Sequence, residues 1–521
     1  MNILMVAAEN DALEGAKVGG IADVVRDIAP ALAQRSHTVN VLLPGYQALS
    51  EQAGSQRIAR IQVQFWSRTE TVDLFTVPGR SPTPGVTQWV LEHPLFAAAG
   101  KGRVYCDDPP DRPFATDASK FALFSTAAAE AALQGWFGSL DIIHLHDWHA
   151  ATLALLRASE PRYAPLKAIR TVFSIHNLAL QGIRPFDGDI SAVHAWFPGL
   201  PLPHERVRDP RYGDCINLMR VGINLCDAVH AVSPTYVTEI TQPSRPEKGF
   251  FGGEGLDPDL LNAQRNGRLV GILNGAEYQE SFEPHLEIKL PELLFEAENR
   301  VISWIAREPQ CHSSHSIALA RIQQWLRQLS DQDHQMLLTS VGRLTDQKAL
   351  LLRQMMFNGK SLLDNMLVKM QGRARLVLLG SGDPLLEQFL LEVASRHSNF
   401  IFLRGFSIEL SESLYQAGDL FIMPSSFEPC GISQMLAMRA GQPCLVHAVG
   451  GLADTVIDGV TGFSFKGDSL EEQCESLLET AERAMSAFKQ TAEWNEMCAK
   501  ASNQRFLWSD SAIDYENKLY Q

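Results

Sequence analysis

"NILMVAAENDALEGAKVGGIADVV", residues 2–25, decides the fold. An apolar run over 2–9 has the composition of a buried strand, Gly19 and Gly20 follow a polar segment, and 21–33 reads as an amphipathic helix. Strand, glycine loop and helix in that order open a doubly wound α/β unit. Adjacent glycines let the backbone pass close to a ligand, and the helix behind them presents N–H groups to an anion. Glycine is also the ordinary tight-turn residue, so turn chemistry alone stays open at this loop. Lys17 and Asp23 sharpen the ligand reading.

Working outward, short β-branched runs alternate with longer amphipathic segments, and they do so twice. In the first half the expected strands are "TVNVLLPG", "TQWVLEHP", "DIIHLHD", "TVFSIHN", "DAVHAVSP" and "LVGILNG", with a helix over 118–133. The pattern restarts with "QMLLTSVGRL", "ARLVLLGSG", "NFIFLRGF", "DLFIMPS" and "PCLVHAV". Between the halves lies a less regular connector, 278–335, with helical patterns at 291–307 and 316–329. The last segment, "WSDSAIDYENKLYQ", reads as a helix capped by Ser509 that docks on something already folded.

A chain of 521 residues exceeds what one core organises, which favours two large domains. It is 45% hydrophobic and 20% charged, an ordinary globular composition. A net charge of -15 argues against non-specific binding to nucleic acid or an anionic membrane, although a local basic pocket for phosphate remains compatible with it. No signal-peptide pattern or long apolar run is present, and the eight cysteines include no CxxC pair. A cytoplasmic protein with reduced thiols is expected. "CHSSH", 311–315, and "DGD", 187–189, could be taken for metal sites, but both read as polar loops, and no metal is expected.

The chemistry concentrates in loops that follow strands. "HLHDWHA", 144–150, ends a strand with three histidines and an aspartate. His144 reads as a hydrogen-bonded core residue, whereas His149 lies past the strand end, where an uncharged imidazole can hold a hydroxyl. "SIHNLALQG", 174–182, repeats the arrangement with His176 and Asn177. "VGRLTDQKAL" sets Arg343 and Lys348 in a loop after a strand: two solvated cations, or a fork and a point charge suited to a diphosphate. In "SSFEPCGISQ", 425–434, Glu428 stands where a helix is expected to begin, as either a cap or a tool. Amides near Cys430 and Gly431 suit sugar hydroxyls, and those near Gly450, Gly451 and Leu452 suit phosphate.

Together "KVGGIADVV", "HLHDWHA", "IHNLALQG", "AVSPTY", "GILNG", "GRLTDQK", "LLGSGDP", "FEPCGISQ", "GGLADTV" and "WSDSAIDYENKLY" occur in one order over essentially the whole chain. This ordered set resembles the bacterial glycogen synthase and plant starch synthase family, the ADP-glucose type akin to glycosyltransferase family 5. The resemblance implies a GT-B fold, two Rossmann-like doubly wound domains facing across a deep cleft. The expected divisions are 1–275, 276–505 with the connector 278–335, and a C-terminal helix, 506–521, crossing back to the first domain. It also implies retaining transfer of glucose from ADP-glucose to an α-1,4-glucan, with the nucleotide sugar as co-substrate and no cofactor.

Carried over to this sequence, the resemblance assigns Glu428, His149, Arg343 and Lys348 to catalysis. It assigns Lys17, Gly19, Gly20, Asp23, Asn274, Gly380, Phe406, Cys430, Gly431, Gly450, Gly451 and Leu452 to the donor. Asp117, His176 and Asn177 fall to the acceptor side. Several positions depart from the family pattern: Val18, Leu180, Ala118, Arg220, Glu277, Ala349, and His447 and Val449 before the paired glycines. A transferase using UDP-glucose or another acceptor, and a weakened glucan-binding regulatory homologue, are the alternative readings.

Overall fold

The computed structural model describes residues 1–278, 288–308, 311–329 and 335–521. Within the expected connector, 279–287, 309–310 and 330–334 lie outside the described residues. The chain divides into two compact units: Met1–Ser244, Gly252–Glu277 and Leu507–Gln521 form the first, and Arg245–Phe251 with Tyr278–Phe506 form the second.

The first unit carries eleven strands. In chain order they are β1 (Asn2–Val6), β2 (Thr38–Pro44), β3 (Gln56–Phe65), β4 (Arg68–Thr76), β5 (Val86–Glu92), β6 (Ile142–His146), β7 (Arg170–Ile175), β8 (Ile183–Pro185), β9 (Cys215–Asn217), β10 (Ala228–Ala231) and β11 (Leu269–Gly271). Nine of them form one sheet in the order β11-β10-β7-β6-β1-β2-β5-β4-β3, while β8 and β9 pair separately. From β11 to β5 every pairing is parallel. β1 lies at the centre, with Met5 opposite Val41 on one side and His144 on the other. Strands buried on both faces need apolar side chains in both directions, so Ile3, Leu4, Met5 and Val6 are all fully buried.

β3 and β4 add an antiparallel hairpin that the sequence reading did not include. Its turn, Trp66 and Ser67, has both residues in the left-handed region, φ 52° and 59°. That is the geometry of a two-residue type I′ hairpin turn, here built without the usual glycine or asparagine.

Among its described residues the second unit has six strands: β12 (Met336–Val341), β13 (Ala374–Gly380), β14 (Phe400–Arg404), β15 (Leu420–Met423), β16 (Cys444–His447) and β17 (Gly462–Phe465). Their order is β14-β13-β12-β15-β16-β17, all parallel. Numbered within the unit, this is 3-2-1-4-5-6, the Rossmann order, in which ligands bind where connections diverge, between the first and fourth strands. The first unit has the same break between β1 and β6.

One face of the second sheet, through Leu338, Leu376 and Leu378, packs on the helices Leu362–Met370, Pro384–Arg396 and Leu470–Phe488. The other, through Leu337, Val377, Leu379 and Leu403, meets the helices Leu290–Arg307, Ser313–Gln328 and Ile408–Ala417. The less regular connector therefore supplies two helices that cover a sheet face. Leu293, Leu294, Ala297 and Val301 form the buried stripe of the first, each full burial of a large aliphatic being worth roughly 1.5–3 kcal/mol. The second begins at Ser313, a turn before the expected 316, because His312 accepts from the Ser314 amide.

At the C-terminus a helix spans Trp508–Asp514 within the first unit. Ser509 is not its cap. Leu507 holds the capping position without a side-chain bond, and Ser511 Oγ donates to the Leu273 carbonyl at 2.8 Å. Beyond it Tyr520 hydroxyl and His144 Nδ1 lie 2.8 Å apart, so His144 is a core residue.

Candidate active site

In the second unit the loop after β12 is fixed by its neighbour. The Gly342 amide donates to the Leu379 carbonyl at 3.1 Å, and that of Leu344 to Ser381 at 2.9 Å. A Cβ on Gly380 would stand 2.3 Å from the Gly342 carbonyl, so this glycine allows backbone to pass backbone. Gly380 thus shapes the loop that carries Arg343. Lys348 is not in that loop but in the first turn of the helix Asp346–Arg353. Its Nζ lies 2.8 Å from Glu428 Oε2, bridging the segments after β12 and β15. Arg343 is exposed and pairs with no acid among the described residues. A pocket at the break between β12 and β15 is lined by Arg343, Lys348, Ser425, Met423 and Leu378.

Glu428 is not at a helix start. The next helix, Ser433–Arg439, begins five residues later, and Glu428 is buried in an irregular turn. Ser425 Oγ donates to the same Oε2 at 3.0 Å, and the Gly451 amide donates to the Glu428 carbonyl at 3.0 Å. A Cβ on Gly450 would meet that carbonyl at 1.9 Å, and one on Gly451 the Cys430 carbonyl at 2.2 Å. The paired glycines hold two loops together. The Leu452 amide donates to the Val449 carbonyl at 3.0 Å. Cys430 is buried; Gly431 sits at φ 75°, where a side chain would be strained. Phe406, past the end of β14, is 68% exposed.

In the first unit the glycine loop is already closed on a carboxylate. Glu9 Oε2, buried just past β1, accepts from the Val18 amide at 2.6 Å and from that of Gly19, while its Oε1 accepts from the Tyr105 hydroxyl at 2.5 Å. An acid at the start of the helix Gly20–Gln34 is favoured by the helix dipole, so the Gly19 amide serves Glu9. Gly20 has open space beside its Cα. Lys17 Nζ pairs with Asp23 Oδ1 at 2.5 Å and with Asp11 Oδ2 at 3.4 Å. Burial raises the Asp23 carboxyl, and Lys17 opposes that shift.

The short helix Asp147–Ala150 follows β6 directly. Asp147 takes φ 56°, and its buried carboxyl, pushed up to about 8 by desolvation, accepts from the His176 amide at 2.7 Å. His149 is 6% exposed, packed against Phe121 and Trp148 rather than projecting freely, and its Nδ1 is sealed without a partner. Burial lowers its imidazole to about 3, and Lys120 adds to the shift. The ring is neutral. His176 Nε2 meets His146 Nδ1 at 2.9 Å, and Asn177 Oδ1 accepts from the Ala179 amide. Asn274 is buried with an unpartnered Oδ1.

Asp117 is buried, bonded to Lys120 Nζ at 2.5 Å and accepting from the Cys106 amide. Asp189 of "DGD" pairs with Arg112 at 2.8 Å, and Asp187 with His194. Among the described residues no group of three or more His, Cys, Asp or Glu is placed to hold a metal, and no helix is long and apolar enough to cross a membrane. The sequence reading missed Glu9, Asp147 and Ser425. A carboxylate and a hydroxyl flanking glycine turns are the only trace of them in the sequence.

Residues 2–262 match the family described as starch synthase catalytic domain, and 336–482 match the glycosyl transferases group 1 family. A glycogen synthase of Anaeromyxobacter sp. (strain Fw109-5) is 32% identical, covering 99% of this chain and 98% of the relative. One of Actinobacillus pleuropneumoniae serotype 5b (strain L20) is 30% identical over 100% and 99%. The solved catalytic domain of starch synthase IV from Arabidopsis thaliana, bound to ADP and acarbose, superposes with TM-score 0.74 at 25% identity, over 100% of this chain and 98% of that one. Two Rossmann-like units with the motif order above make this a GT-B protein, and the chain belongs to the bacterial glycogen synthase and plant starch synthase family.

Proposed function

We propose that this glucosyltransferase of glycogen synthesis uses ADP-glucose and extends α-1,4-glucan chains with retention of configuration. The observation that carries the reading is the Lys348–Glu428 pair at 2.8 Å, set at the break in the second sheet beside an exposed Arg343 that pairs with no acid among the described residues. Cleaving the bond from anomeric carbon to phosphate puts negative charge on the diphosphate and positive charge on the sugar ring. Arg343 and Lys348 offer a planar fork and a point charge to the first; Glu428 offers a carboxylate to the second.

In the front-face form of this reaction the acceptor hydroxyl oxygen bonds to the anomeric carbon on the side the diphosphate leaves. The departing phosphate takes the hydroxyl proton. Glu428 then stabilises charge and holds a hydroxyl and forms no covalent bond. The exposed Phe406 ring offers adenine a stacking face, and the ADP in the Arabidopsis relative is the same nucleotide. The roles that the family resemblance gives Lys17, Asp23 and His149 belong to the same proposal, as does a reaction needing no metal or cofactor. A cytoplasmic location fits a glucan acceptor and reduced thiols.

The test is labelled glucose transfer to glycogen from ADP-glucose and UDP-glucose side by side, with the anomeric configuration of the product read by NMR. ADP-glucose should be the better donor and the new linkage α. A β linkage, or preference for UDP-glucose, overturns the corresponding part.

A further inference from the structure

The two oxygens of Glu428 are treated differently. Oε2 takes both contacts, Lys348 Nζ at 2.8 Å and Ser425 Oγ at 3.0 Å, whereas Oε1 has no partner among the described residues. Ser425 is itself held. It is fully buried, and its carbonyl accepts from His447 Nδ1 at 2.9 Å. The His447 ring is buried and stacked on Phe465 at 4.8 Å and 5°. With Nδ1–H donating to a carbonyl, the tautomer is fixed. Three consecutive strand ends therefore feed one carboxylate: Lys348 after β12, Ser425 after β15 and His447 at the end of β16.

We propose that Ser425 is a positioning residue for Glu428, anchored by His447, and that together with Lys348 it commits Oε2 so that Oε1 is the oxygen presented to the transferred sugar. A carboxylate with one fixed oxygen cannot rotate about its terminal torsion, which is otherwise broad and two-fold. Preorganisation of this kind acts on the transition state, where misalignment costs rate more than binding. The proposal rests on the reading of Glu428 as the group facing the sugar.

The test is a kinetic series on the full-length protein: Ser425→Ala, Ser425→Thr, His447→Phe, His447→Asn and Glu428→Ala. Ser425→Ala should lower kcat about 10- to 100-fold, the range of one hydrogen bond to a charged group, with the donor KM changed less than about threefold. Ser425→Thr keeps a hydroxyl and should recover most of the rate. His447→Phe keeps the stack on Phe465 but no donor and should lower kcat, whereas His447→Asn keeps an N–H and should restore it.

Thermal melting of each variant separates misfolding from misalignment; should Ser425→Ala unfold, the His447 pair decides on the same kcat criterion. If Glu428→Ala loses transfer while Ser425→Ala and His447→Phe keep kcat, the positioning proposal is wrong and the reading of Glu428 stands. If Glu428→Ala keeps its rate, the reading of Glu428 fails first.

Discussion

Glu9 Oε2 accepts the Val18 amide at 2.6 Å, and so a buried carboxylate at the end of the first strand closes the glycine loop in front of the first helix. The contact is charge-assisted and lies where the helix dipole favours an anion. Glu9→Ala should therefore lose about 2–3 kcal/mol of stability and loosen the loop. Urea denaturation followed by far-UV circular dichroism checks it. A variant as stable as the parent would show that the loop holds without Glu9.

Arg343 and Lys348 are both cations, yet their removal should differ in kind. Arg343 is exposed without an acid partner among the described residues, so Arg343→Ala should change stability by less than about 0.5 kcal/mol while weakening donor binding more than about tenfold. Lys348→Ala leaves Glu428 buried without its cation and should cost roughly 1–2 kcal/mol in addition to rate, the cost being moderated because Lys348 is 26% exposed. Calorimetry and ADP titration on the two variants separate the effects. Equal stability losses would contradict this division.

Buried imidazoles set the acid limit. Desolvation lowers His230 and His447 to about 4 and His149 to about 3, and His144, His146 and His176 lie well below their ordinary range. Each is neutral when folded and binds a proton near pH 6.5 when unfolded. Their contribution is thus complete above about pH 6.5 and is lost as pH falls toward 4. Asp147 and Asp419, raised by burial to about 8 and about 6, act oppositely and regain stability on acidification. With His37 and His93 also lowered by burial, the imidazoles outweigh these carboxyls and the lesser upward shifts of Asp23, Asp27 and Glu92, so the urea midpoint should hold from pH 8 to 7 and fall steeply below 6.5. A flat profile to pH 4.5 would show that water reaches these rings.

Ser67 sits at φ 59° in the β3–β4 turn, where an L-residue carries a cost that glycine does not. Ser67→Gly should raise stability by about 0.5–1 kcal/mol and leave activity unchanged. A lower melting temperature would mean that the serine side chain contributes more than its backbone costs.

The same turn shows where the sequence is opaque. The parallel strands were legible because burial on both faces demands continuous apolar runs such as "NILMV" and "LVLLG". The hairpin was not, since Trp66 and Ser67 lack the glycine or asparagine that marks such turns. β17, four residues long, gave too little pattern, and Arg245–Phe251 joins the second unit through tertiary contacts that no local signal records, Phe251 on Phe427 among them. At the candidate site the charged residues could be picked out by type, but their partners could not. Nothing in "AAEN" says that Glu9 will reach the amides of Val18 and Gly19, and the paired glycines at 450 and 451 signal a ligand as readily as the backbone packing they serve. The partner of Asp117 is hidden in the same way, because Lys120 lies one helical turn on and no local signal says that both are buried.

The most direct measurement is transfer of labelled glucose from ADP-glucose to glycogen by the parent protein and by Glu428→Ala at matched fold and concentration. The account predicts α-linked incorporation by the parent and a loss of about 100-fold or more in the variant. Incorporation by Glu428→Ala within a few-fold of the parent would contradict it.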